Sequence, residues 1–281
     1  FHFLFYAFVG LLEKIGFRLD YALNIPSALG FAGLLIIVYV FAKKIFNSAM
    51  VGLLSVIFFL FNGSLSFLFF LKNHPLSINT INDIVQSNTF SSFGPYDQNI
   101  ISAFWNLNIY TNQRHLGLSY GLSLLFIYIL IKPLFFADHS LVGLVKIPKI
   151  CTWVLGEKIN ISTKYLVRNF VLGLLLSIFF YLHLGIFTFT IVIIGILALM
   201  FKNLRFPAII ILLVGAIFSI PQYVYQTSGG STFSLLIKPG YLIFDKLSFI
   251  TFINYWIMNL GLPIILMIGG FIIASVKLKK I

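Results

Sequence analysis

The feature that most limits the fold of this chain is the length of its uncharged stretches. No Asp, Glu, Lys or Arg occurs from Asn24 to Ala42, from Asn47 to Leu71, or from Phe206 to Ile237. A helix crosses the hydrocarbon core of a bilayer with about 20 apolar residues. These runs are continuously apolar rather than alternating, and lipid offers no partner to an open sheet edge, so they read as helices. Composition agrees: 60% of residues are hydrophobic and 9% are charged, where a soluble domain carries about 25% charged residues. The mean hydropathy is +1.03. The expected fold is all-α, a polytopic integral membrane protein of about seven to eight transmembrane helices. The spans fall at roughly 24–42, 48–71, 115–132, 168–184, 186–201, 206–221 and 251–276, with 1–12 an eighth, incomplete span or an interfacial helix. Phe1 lies inside an apolar run with no charged leader before it, so the chain reads as a fragment of a longer protein. Cys151 is the single cysteine and excludes an internal disulfide.

The net charge of +12 invites a nucleic-acid reading, but its distribution argues for topology instead. With Lys43 and Lys44 in the cytoplasm and sides alternating, one side collects thirteen basic residues against two acids, or +11, and the other six against five, or +1. Lys and Arg concentrate in cytoplasmic loops, so no nucleic-acid partner is expected. Outer loops are expected at about 72–114 and 222–250, and a long inner segment at 133–167. The inner segment interleaves Leu141, Val142, Leu144, Val145 and Ile147 with Lys146 and Lys149, which suits either an interfacial helix or a basic connector. The expected location is the plasma membrane with the polar loops outside. Labelling checks the orientation: in a Cys151→Ser background, a cysteine at Ser91 should react with an impermeant reagent added outside. Reaction only after permeabilisation would reverse the topology.

The spans are nearly free of ionisable groups. His183 and Arg168 sit near expected helix ends and read as interfacial, which weakens a proton- or ion-coupled carrier. The first outer loop holds the candidate site. It is rich in amides and aromatics and includes His74, Asp83, Tyr96, Asp97 and Trp105 before ending on Gln113, Arg114 and His115. Amides suit sugar hydroxyls and aromatic faces suit sugar rings. An arginine at the start of a helix can grip a phosphate with a planar fork, and the helix N-terminus favours the same anion. Gln113, Arg114, His115, His74, Tyr96 and Trp105 are therefore the expected substrate-binding residues, or, for Arg114 and His115, interfacial anchors. Asp83 and Asp97 are the acids of this loop, suited to a general base or to a divalent metal. Tyr223 and Tyr225 read as part of an interfacial aromatic belt. No phosphate-cradling loop, Cys/His metal spacing or nucleophile elbow occurs.

One stretch resembles a family. Asn24-Ile25-Pro26-Ser27-Ala28-Leu29-Gly30, followed by Val38-Tyr39-Val40-Phe41-Ala42-Lys43-Lys44-Ile45-Phe46, is similar to a segment of the GT-C membrane glycosyltransferases. These are the protein O-mannosyltransferase and aminoarabinose-transferase-like enzymes. The preceding run Phe1-His2-Phe3-Leu4-Phe5-Tyr6 and the helix start Gln113-Arg114-His115 fit the same pattern. The likeness covers 1–71 and, less closely, 72–132. It implies a GT-C-like fold and transfer of a sugar from a polyprenyl-phosphate donor to an acceptor at the outer membrane face. It also places the catalytic acid upstream of the matching region, so no catalytic residue carries over. The family often has Arg where this chain has Asn24. Rival readings are an O-antigen ligase or polymerase-like protein, which also uses lipid-linked sugars, and a transporter or lipid flippase.

Overall fold

The computed structural model describes residues 3–61, 64, 65, 68, 71, 72, 74–86, 110, 114–136, 163–228 and 248–278. Among these residues every regular element is a helix. In chain order they are α1 (Phe3–Lys14), α2 (Leu19–Phe46), α3 (Ala49–Leu60), α4 (Ile78–Gln86), α5 (Arg114–Phe136), α6 (Thr163–Leu182), α7 (Leu184–Met200), α8 (Lys202–Ser228), α9 (Phe249–Leu260) and α10 (Leu262–Leu278). They gather into two compact units: Phe1–Asn47 with Gln113–Ser234, and Ser48–Asn112 with Leu235–Ile281.

Four helices are long and apolar enough to cross a membrane: Leu19–Phe46, Arg114–Lys132, Thr163–Leu182 and Lys202–Tyr225. The bent pair α9 and α10 makes five if counted as one. The chain is thus a helical membrane protein with four or five candidate spans among the described residues. Within the segment expected to span at 48–71, α3 covers 12 residues with Phe61 as its C-cap, and the described residues Leu68 and Leu71 are again helical. The expected span at 251–276 is broken at Gly261, with φ 65° and ψ −143°, and Pro263 opens the next helix. Glycine tolerates a positive φ and proline suits a first helical turn, so these two residues make a corner. α8 continues to Ser228, into the segment expected as the second outer loop. Within the first expected outer loop, α4 adds a short helix.

In the first unit, α2 packs along α5, α6 along α8, and α7 against α5, α6 and α8. Its core is Phe126, Leu130, Leu172, Leu176, Phe179, Ile194 and Ile211 with their neighbours. Hydrophobic burial drives little association between helices in lipid, whose tails are as apolar as leucine, so close packing of small residues carries more weight. Glycines accordingly mark both main seams. A Cβ on Gly30 would lie 2.8 Å from Leu118, and one on Gly117 would lie 3.0 Å from the backbone of Phe31. On the other seam, a Cβ on Gly173 would lie 2.5 Å from Val214. Arg168 donates to the carbonyl of Ile129 at 2.8 Å, so it ties α6 to α5 rather than only anchoring a helix end.

In the second unit, the backbone N–H of Leu65 donates to the carbonyl of Met258 at 2.8 Å, and the rings of Phe59 and Tyr110 lie 5.6 Å apart.

Candidate functional site

Four pieces of the first unit bring their polar residues together. Arg114 begins α5, and its Nη1 donates to Oδ1 of Asn24, in the second turn of α2, at 2.7 Å. Asn24 is exposed and Arg114 half-buried. Asn24 is a neutral acceptor, so among the described residues the guanidinium charge meets no carboxylate. Asp20, one turn earlier on α2, is held by Arg18 at 3.2 Å. The arginine also sits at the positive end of its helix dipole, where a cation is disfavoured and an anion is welcome.

His115 turns inward and is 4% exposed. Its ring stacks on His183, with centroids 5.4 Å apart and planes 17° from parallel. Phe5 and Tyr6 of α1 lean on the same ring at 6.3 and 6.5 Å. His183 is the single residue between α6 and α7, and its Nδ1 accepts the Ile186 N–H at 3.3 Å as the cap of α7. It is thus a helix cap inside the bundle, not only an interfacial residue. Below the pair, Ser119 and Ser123 are fully buried on the His115 face of α5. Ser119 donates to the His115 carbonyl at 2.8 Å, and Ser123 meets the Thr190 hydroxyl at 2.7 Å. Thr190 also donates to the Ile186 carbonyl at 2.7 Å. Buried polar contacts of this kind average about 0.6 kcal/mol in membrane bundles and reach about 1.7. A Ser123→Ala/Thr190→Val double-mutant cycle should return a coupling in that range by reversible unfolding in mixed micelles. Additive effects would mean that the two hydroxyls do not cooperate.

Beside this cluster runs an apolar groove of about 420 Å³. Pro26, Gly30 and Gly33 of α2 and Leu118, Gly121 and Leu125 of α5 are among its walls. Pro26 is two residues from Asn24 on α2, and Leu118 is one turn from Arg114 on α5. Nothing lies within 4 Å of where a Cβ on Gly33 would be, so that wall is open.

The structure therefore brings Arg114 and His115 together and adds Asn24 and His183, which sequence reasoning had not placed in the site. The available signal was their position, as lone polar residues near the ends of apolar runs. His74, half-buried, and Asp83, exposed on α4, belong to the second unit. Tyr96, Asp97, Trp105 and Gln113 lie outside the described residues. Among the described residues no three His, Cys, Asp or Glu side chains gather to hold a metal ion. Comparison of the chain with protein families, curated proteins and solved structures finds no match in any of the three.

Proposed function

We propose that the chain binds a lipid-linked phosphate at the Asn24–Arg114 end of its first unit and serves a polyprenyl-phosphate-dependent glycosyltransferase of GT-C type. The observation that carries this reading is a guanidinium that meets no carboxylate among the described residues, at a helix N-terminus, near an apolar groove between two candidate spans. That pairing of an anion site with an apolar channel fits a molecule with a phosphate head and a hydrocarbon tail. In glycosyl transfer, an acceptor hydroxyl loses its proton to a base and attacks the anomeric carbon as the bond to the lipid phosphate breaks. Arg114 would stabilise the charge that builds on the departing phosphate. The base is not assigned; Asp83 and Asp97 remain sequence candidates.

Titration in nanodiscs tests the reading. A polyprenyl monophosphate should bind more tightly than the neutral polyprenol of the same length, and more tightly than a short-chain phosphate. Gly33→Leu, which builds into the groove from a position where a Cβ meets nothing within 4 Å, should weaken the long-chain phosphate selectively. Equal binding of phosphate and alcohol would remove the phosphate from the proposal. An unchanged affinity in Gly33→Leu would remove the groove.

A further inference from the structure

The corner at Gly261 has a consequence for how the second unit meets the bilayer. Helices α9 and α10 are bent from one another by 105°. The 12 residues of α9 reach about 18 Å, too short to cross a core of about 30 Å, whereas the 17 of α10 reach about 25 Å, at the lower limit of length for a span. If α10 runs along the membrane normal, the bend lays α9 close to the membrane plane.

The residues of α9 are arranged for that position. At about 100° per residue, Phe249, Phe252, Ile253, Trp256 and Leu260 share one arc, and all are exposed. Thr251 and Asn254 lie on the opposite arc with Met258 between them, and Ile250 and Ile257 lie between that arc and the first. Between the two arcs on the other side, Tyr255 and Asn259 are buried at 5% and 7% exposure, and the Asn259 amide donates to the Tyr255 carbonyl at 3.0 Å. α9 thus offers a broad apolar face, the exposed Asn254 on the far side and a protein face. A helix lying at the interface can sink such an apolar face while Asn254 reaches water. The start of α9 is closed by a reciprocal cap: Thr251 N–H donates to Ser248 Oγ at 3.1 Å, and Ser248 N–H to Thr251 Oγ1 at 2.8 Å. Trp256, edge-on to Phe252 at 6.2 Å, is of the aromatic type that settles at the headgroup boundary.

Charge chooses among the ways a bent pair can sit. A re-entrant hairpin would return the end of α10 to the face from which α9 starts. That end carries Lys277, Lys279 and Lys280, while the segment before α9 combines Lys238 and Lys246 with Asp245. Cationic clusters stay on the cytoplasmic side, so the chain crosses between the two. We infer that α9 is an interfacial helix, its Phe249–Trp256 face sunk in the acyl boundary and Asn254 in water, and that α10 alone makes the crossing.

Two measurements on the whole chain in phosphatidylcholine–phosphatidylglycerol bilayers test this. With Trp105→Phe and Trp153→Phe leaving Trp256 as the only tryptophan, lipids spin-labelled near the headgroup should quench its fluorescence more than lipids labelled near the chain end. Stronger quenching by the deep label would overturn the interfacial placement. Single cysteines at Asn254 and Lys279, in the Cys151→Ser background, should be labelled from opposite sides. Labelling from one side would establish a re-entrant hairpin and overturn the crossing. The cysteine pair leaves all tryptophans in place, so it decides the crossing even if the tryptophan variant does not fold.

Discussion

Replacing Arg114 by Lys should weaken binding of a polyprenyl phosphate by roughly ten- to a hundredfold and leave the fold intact. The loss of a charge-assisted contact to the head group costs about 1.5–3 kcal/mol, and every 1.4 kcal/mol is a factor of ten. Lys keeps the charge but not the planar fork that can hold a phosphate oxygen while Nη1 stays on Asn24. Arg114→Gln should be at least as damaging, because it removes the charge as well. Asn24→Asp should also weaken binding, by giving the guanidinium an internal carboxylate to compete with the ligand. His115→Gln should cost less, since the imidazole is buried against His183 rather than turned toward the groove mouth. An anchoring role for Arg114 predicts a different series: Lys snorkels to the interface as well as Arg, so Arg114→Lys would be silent. Donor titrations of the four variants in nanodiscs separate the two, and an unchanged affinity for Arg114→Lys would take Arg114 out of the site.

Gly173→Ala should destabilise the first unit by about 1–3 kcal/mol, the usual cost of overpacking a well-filled seam. The new methyl would lie 2.5 Å from Val214 Cβ and 3.1 Å from the Ile211 carbonyl oxygen. Neither is the free end of a flexible side chain, so α6 and α8 must separate to accept it. Gly173→Val should prevent folding. Gly195→Ala is the matched control: it lies inside α7 with nothing within 4 Å of the new methyl. It should be neutral or stabilising by up to about 1 kcal/mol, from helix propensity alone. Thermal unfolding in detergent compares the pair, and equal midpoints for the two alanine variants would contradict the close α6–α8 approach.

The membrane class was legible in the sequence because it depends on composition along single segments. An apolar run of sufficient length has to be helical in lipid whatever packs against it, and α2, α5, α6 and α8 appeared close to where they were expected. The same reasoning overran at the α9–α10 corner. Hydropathy averages over a window, and the turn chemistry of Gly261-Leu262-Pro263 hides inside a run that stays apolar. The site divided along the same line. Arg114 could be singled out from its charge and its place at a helix start. Its partner could not, because Asn24 lies 90 residues away, and the contact exists only because Gly30, Gly117 and Gly121 let α2 and α5 close together. The stacking of His115 on His183 likewise depends on which helices are neighbours. A sequence read one segment at a time determines what each helix is made of and that it belongs in lipid; which polar groups meet at the helix ends is decided by packing between segments distant in the chain.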